Sequence, residues 1–267
     1  MRIVRLDGVV VSGEESVTLD DPVVRAGDGL IETMRARHGR LAHREAHLAR
    51  LAASVKELGM VGIPAMAVIE TELDAAIAAL GAPHALVRLV VSMQPLLWVD
   101  VDSIGPLPDH PGSAAAITIP GGWSPCARIA EHKTTSRAHW RWAERQAQTA
   151  GVDVALMTDG AGRLGESTRT SVFVLAGDTL FTAPLRGLLP GIARRVVIEL
   201  HPGVVEAALD ASVWQAADEV FLTNAVRGIT AVTSIDRRPV GDGSVGELTN
   251  RIAAAYRCRV VGDTSAA

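Results

Sequence analysis

The chain has 267 residues, 48% apolar and 21% charged, with a formal net charge of −4. That length buries a sizeable core in one large domain or two smaller ones, and the composition is that of a globular protein. The balance of charge gives no global basic field for nucleic acid, the two cysteines (Cys126 and Cys258) follow no disulfide or zinc-ligand spacing, and no apolar run reaches membrane-span length.

Residues 2–11 read as a β-hairpin in which Ile3 to Leu6 and Val9 to Val11 flank the two-residue turn Asp7-Gly8. Charge interrupts the apolar residues of this N-terminus, so it does not read as a signal peptide, and a soluble, cytoplasmic protein is expected. A second strand pair runs from Leu30 to Ala36 and from Arg40 to Ala42 around His38-Gly39. A helix follows over 43–58, with Leu48, Leu51, Ala52, Val55 and Leu58 as one apolar stripe. Residues 65–80 predict an Ala-rich helix and Ala85 to Ser92 a strand. Residues 93–112 are expected to form loops. The stretch 103–127 is rich in Pro, Gly and Ser, with a short apolar run from Ala114 to Ile119 inside it.

Beyond this stretch come a helix over 137–150, a strand from Val154 to Met157, the turn Asp159 to Gly162, and a hairpin pairing 172–175 with 179–182. A helix opens near Pro190-Gly191. Strand 219–222 precedes Thr223-Asn224, and residues 247–258 form the last helix, with a frayed tail over 262–267. Strands and helices mix without a βαβ rhythm. The fold class expected is therefore α+β with antiparallel or mixed sheets. The division is a smaller N-terminal domain (1–112), an interdomain segment (113–127) and a larger C-terminal domain (128–267).

Two residues suggest chemistry. Lys133, in His132-Lys133-Thr134-Thr135-Ser136-Arg137, supplies an amine able to form a Schiff base with an aldehyde cofactor. Glu166, in Leu164-Gly165-Glu166-Ser167-Thr168, supplies a carboxylate able to keep a ring nitrogen protonated. Taken singly, each has a plainer reading as a solvated lysine and a loop or capping carboxylate. Arg50, in His47-Leu48-Ala49-Arg50-Leu51, lies off its helix's apolar stripe and is either a surface charge or a guanidinium fork for a phosphate. Leu189-Pro190-Gly191-Ile192-Ala193 opens a helix whose first N–H groups could bind a phosphate, and Thr223-Asn224-Ala225 could present more. The histidines form no ligand cluster, so no metal site is expected.

In this order and spacing the pieces, together with Arg25-Ala26-Gly27-Asp28-Gly29-Leu30-Ile31-Glu32-Thr33, resemble the fold type IV family of pyridoxal-phosphate (PLP) enzymes. That family holds branched-chain and D-amino-acid aminotransferases and 4-amino-4-deoxychorismate lyases. The resemblance implies a two-domain fold of the D-amino-acid aminotransferase type with pyridoxal 5'-phosphate in the cleft between the domains, and a homodimer. It implies Lys133 as the cofactor's covalent anchor and proton carrier and Glu166 on the pyridine nitrogen. Arg50, Ile192, Ala193, Asn224 and Ala225 would hold the phosphate. Two departures stand out: Ser171 replaces the asparagine usual shortly before Val-Phe, and Ala193 replaces a frequent threonine.

Arg137, four residues after Lys133, gives the Lys-x-x-x-Arg pattern found in the lyases, where the aminotransferases usually have tyrosine. The first expectation is therefore a 4-amino-4-deoxychorismate lyase of folate biosynthesis, which releases pyruvate and leaves 4-aminobenzoate. Arg137 and Arg88 are candidates for the substrate's two carboxylates. A surface charge for Arg137 and a structural ion pair for Arg88 are the plainer readings. The alternative is a class IV aminotransferase acting on branched-chain or D-amino acids, and a third reading is a non-catalytic dimeric module that keeps the fold.

Overall fold

The computed structural model describes residues 2–11, 19–93 and 96–265. They form two compact units. The first comprises the described residues up to 106 together with 132–137 and 259–265, and the second residues 107–131 and 138–258.

The first unit is built on a six-stranded antiparallel sheet, and two of its turns follow directly from the sequence. Asp7 and Gly8 adopt positive φ (47° and 87°), which joins β1 (Arg2–Leu6) to β2 (Val9–Val11) with a twist that suits a hairpin. His38 and Gly39 (46° and 82°) do the same between β3 (Gly29–Arg37) and β4 (Arg40–Leu41). A short helix, α1 (Pro22–Ala26), precedes β3; Asp21 caps it by accepting from the Val23 N–H, and Pro22 fills its first turn. The sheet runs β2-β1-β6-β5-β3-β4, with β5 at His84–Ser92 and β6 at Leu96–Ser103. The strand β6 corrects the loop expected over 93–112. Its Asp100 and Asp102 break the apolar pattern but pair with arginines of neighbouring strands.

One face of this sheet is covered by α2 (Arg44–Glu57) and α3 (Met66–Leu80). Leu51, Ile69, Leu73 and Ile77 pack there against Met34, Val87, Leu89 and Val99, all buried. The α2 stripe differs from the expected one. Ala52 is exposed, whereas polar His47 and Ser54 are buried beside Leu51.

The second unit holds a nine-stranded mixed sheet. From β7 (Gly112–Ile119) it passes to β8 (Val154–Thr158) and β9 (Leu164–Ser167), then to β10 (Ser171–Ala176), β13 (Glu219–Asn224) and β14 (Gly228–Ile235). β14 pairs with β7 in parallel, and β9 pairs with both β8 and β10, so six strands close on themselves as a barrel. β11 (Thr179–Thr182) and β12 (Val205–Glu206) extend the sheet beyond β10, and β15 (Arg238–Pro239) pairs with β14. Val172, Val174, Val220 and Leu222 share one face of β10 and β13 and pack with Leu156 and Leu164. α4 (Ala138–Thr149) lays Ala143 and Ala147 on Ile119, Ala155 and Met157, small residues that bring the helix close to β7 and β8. α5 (Ile192–Leu200) and the short α6 (Ala211–Trp214) complete the layer.

α7 (Glu247–Ser265) runs past the expected stop at Cys258. Val260 and Thr264 are buried and Thr264 Oγ1 donates to the Val260 carbonyl, so most of the tail is helical rather than frayed; residues 266 and 267 lie outside the described residues. No helix among the described residues is long and apolar enough to cross a membrane.

Candidate functional site

In the first unit, β3 organises two of the candidate residues through consecutive positions. The Ile31 N–H donates to the Lys133 carbonyl at 2.8 Å, and the Thr135 N–H donates to the Gly29 carbonyl at 2.8 Å, so the Lys133 segment lies along the start of β3. Its neighbours are pinned on both sides. His132, buried, hydrogen-bonds Ser54 Oγ of α2 at 3.0 Å, and Thr135 Oγ1 donates to the Gly27 carbonyl at 2.6 Å. Gly27 is required there: its φ is +64°, and a Cβ would lie 2.9 Å from Ser136 Cα. Lys133 itself is half-buried.

The next β3 residue, Glu32, receives Arg50. The guanidinium donates through Nε to Oε1 at 2.8 Å and through Nη2 to Oε2 at 2.6 Å, and His47 Nδ1 meets Oε2 at 2.8 Å. Glu32 and His47 are 2% and 1% exposed. Burial pushes the Glu32 carboxyl up, but the opposite charge and hydrogen bonds of Arg50 and His47 outweigh it and bring the carboxyl down to about 2. An ionised carboxylate only accepts, so His47 Nδ1 is the donor. Arg50 is thus held by a buried polar cluster rather than projecting as a surface charge. Sequence reading gave Glu32 no role of its own; a carboxylate between Leu30 and Met34 on the apolar face of the strand was the available signal.

Arg88 lies on the other face of the same sheet. It is opposite Thr33, while Glu32 is opposite Leu89. Its Nη1 donates to Asp100 at 2.8 Å and Asp102 at 2.9 Å, and Arg2 also bonds Asp100. Arg137 is half-buried and follows the Lys133 segment immediately before α4.

In the second unit, Glu166 sits on β9 and not in a loop. It is directly opposite Ser171 at the point where the barrel closes, and Ser171 is in turn opposite Thr223 of β13. Directly paired residues project to one face of a sheet, so Glu166, Ser171 and Thr223 form a polar row. Glu166 is 8% exposed. The Trp140 Nε1–H donates to its Oε1 at 3.3 Å. The preceding residue must be glycine, because a Cβ on Gly165 would overlap the Trp123 indole, whose Nε1–H donates to the Arg163 carbonyl at 3.2 Å.

α5 begins beside this row. A Cβ on Gly191 would lie 2.7 Å from Ser171 Oγ, so the glycine lets the helix start approach the strand. Gly191 makes no side-chain cap bond, which leaves the first N–H groups, those of Ile192 and Ala193, without a capping side chain. Buried Arg194 donates to the Ala183 carbonyl at 2.8 Å and to Glu206 at 2.7 Å and ties α5 to the end of β11. Glu166, Ser171 and Arg194 line a small pocket with Leu185, Leu188 and Leu189. Asn224 follows Thr223, and its Oδ1 accepts from the Val226 and Arg227 N–H groups, which shapes the turn that carries Ala225.

Comparison with known proteins identifies the fold and the family. Residues 29–235 match the family model for amino-transferase class IV. The putative branched-chain-amino-acid aminotransferase of Methanocaldococcus jannaschii is 29% identical over 94% of each chain. The branched-chain-amino-acid aminotransferase-like protein 2 of Arabidopsis thaliana is 27% identical over 94% of this chain, which spans about half (49%) of that relative's length. Among solved structures, a fold IV transaminase from Curtobacterium pusillum superposes with a TM-score of 0.86 at 23% identity, covering 96% of this chain and 99% of that one. The PLP-bound form of a hypothetical aminotransferase from Mycobacterium tuberculosis gives 0.86 at 22%, covering 98% and 99%. The α+β architecture with its closed sheet is that of the fold type IV aminotransferases, which use pyridoxal 5'-phosphate. The match over most of its length places this chain in the amino-transferase class IV family.

Proposed function

We propose that this protein is a PLP-dependent aminotransferase acting on α-amino acids with apolar, branched side chains. The observation that carries the cofactor assignment is the polar row of the second unit: a buried carboxylate, Glu166, paired across strands with Ser171, against which an uncapped helix N-terminus is set. The residues fit the group. A carboxylate suits a protonated pyridine nitrogen, and free helix N–H groups suit a phosphate dianion. The substrate class is supported by the relatives' names, a branched-chain-amino-acid aminotransferase-like protein and a putative branched-chain-amino-acid aminotransferase.

When bound, PLP supplies an aldehyde that condenses with amines and a ring that draws electrons from bonds at the adjacent carbon. Lys133 Nζ would anchor it and would then hold the proton taken from the substrate's α-carbon. Glu166 would accept from the protonated pyridine nitrogen. Arg50, held by Glu32, is assigned to the phosphate, as are the first N–H groups of α5 at Ile192 and Ala193 and the turn of Asn224 and Ala225. Arg137 is assigned to the substrate carboxylate; Arg88 is not, because it lies on the sheet face opposite to that of Glu32 and Arg50, where Asp100 and Asp102 engage it. The enzyme works as a cytoplasmic homodimer in this reading, and sedimentation analysis tests the dimer.

A second reading, 4-amino-4-deoxychorismate lyase, rests on Arg137 standing four residues after Lys133. One experiment separates the two. The PLP-loaded protein is mixed with leucine, isoleucine or valine and no keto acid. Conversion of the cofactor to pyridoxamine phosphate supports transamination. No conversion, with pyruvate and 4-aminobenzoate released from aminodeoxychorismate, establishes the lyase instead.

A further inference from the structure

We infer that Trp140 is a positioning residue for Glu166, an inference that rests on the cofactor role proposed for that carboxylate. An indole N–H is a donor and nothing else. Its hydrogen bond to Glu166 Oε1 (3.3 Å) holds one oxygen of the carboxylate in place and so restricts the side chain's rotation.

The geometry that delivers the indole is itself constrained. Met157 is directly opposite Glu166, on β8, and packs against Ala143 and Ala147, so α4 lies over the part of the sheet that carries the carboxylate. Trp140 belongs to that same packed cluster. At the start of α4, His139 Nε2 is hydrogen-bonded to the Gly122 carbonyl. The imidazole stands edge-on to the Trp140 ring, with centroids 5.7 Å apart and planes at 81°. The indole therefore has neighbours on its helix side and its strand side that restrict its rotation. Trp123 fills the side-chain space of Gly165, so the backbone on the N-terminal side of Glu166 is confined as well. Two tryptophans thus confine this short strand: Trp123 packs on its backbone, and Trp140 orients its carboxylate.

The test is a double-mutant cycle read as PLP affinity of the cofactor-stripped full-length chain, measured by absorbance titration. Trp140→Phe keeps an aromatic ring and removes the donor. It is expected to raise the PLP dissociation constant about three- to tenfold, as for the loss of one ordinary net hydrogen bond. In a Glu166→Gln background the same change is expected to cost clearly less, because the amide oxygen still accepts but the charge that strengthens the bond is gone. Trp140→Leu, which also lacks the donor, must show the same dependence on Glu166. A purely structural tryptophan predicts the opposite: equal losses in both backgrounds, tracking a fall in the thermal midpoint. Either equal losses or an unchanged dissociation constant in Trp140→Phe overturns the inference. Wild-type protein that takes up no PLP overturns the proposed function and this inference with it, whereas normal wild-type uptake beside an unaffected Trp140→Phe overturns the inference alone.

Discussion

Replacing Glu32 by alanine should lower stability strongly, for a reason that acid should reverse. Glu32 is 2% exposed, is chelated by Arg50 through two hydrogen bonds and accepts a third from His47. Removing one member of such a pair leaves a buried charge without its partner, a loss of about 3–5 kcal/mol. The titration gives a second route to the figure. The carboxyl is lowered from 4.5 to about 2, and about 1.4 kcal/mol per pH unit makes the folded-state preference for the anion about 3 kcal/mol. A depressed carboxyl contributes stability that is complete above the unfolded pKa and drains away as pH falls through the folded one. The wild type should therefore lose this contribution between about pH 4.5 and 2, while Glu32→Ala should not. Calorimetry at pH 7 should show a midpoint about 6–10 °C lower in the variant, at about 2 °C per kcal/mol for a chain of this size. The two proteins should converge as the pH approaches 2. A midpoint at pH 7 within 2 °C of wild type, or a gap of constant size down to pH 2, would refute the argument.

Further outcomes follow from the same geometry. Lys133→Ala should abolish both the visible absorbance of bound PLP and turnover; retention of either, in spectra and product assays, removes the lysine from its role. Gly165→Ala should destabilise by about 1–3 kcal/mol, since the new methyl must displace the Trp123 indole from its bond to the Arg163 carbonyl, and the shift is read by urea titration. Leu73→Ala, fully buried between α3 and the first unit's sheet, should cost about 2–5 kcal/mol in the same assay with little change in PLP affinity.

What could be read from sequence was what is local. Asp7-Gly8 and His38-Gly39 announce their hairpins because the turn itself demands those residues. The helices over Met66–Leu80 and Ala138–Thr149 follow from composition and spacing. The strand β6 was hidden because Asp100 and Asp102 look like solvated charges until Arg2 and Arg88, which are distant in the chain, are brought to them. β9 was hidden because four residues containing a glycine carry too little periodicity to read. α7 continues past Gly262 because burial of Val260 and Thr264 overrides the local stop signal. At the candidate site, Lys133 and Glu166 stood out by residue type and spacing. Glu32, His47 and Trp140 did not, since their significance lies in contacts across 15 to 26 positions of sequence.

The closed ring of strands also dictates a timetable for synthesis. β9 leaves the ribosome well before β14, yet the ring runs from β7 to β14, whose paired residues are about 120 positions apart. Until residue 235 has emerged, the nascent second unit is an open sheet with an unsatisfied edge at β7, a surface that invites pairing with other chains. Refolding from denaturant should accordingly be slow and concentration-sensitive, and a chaperone that shields the β7 edge should speed it more than one that binds the helices.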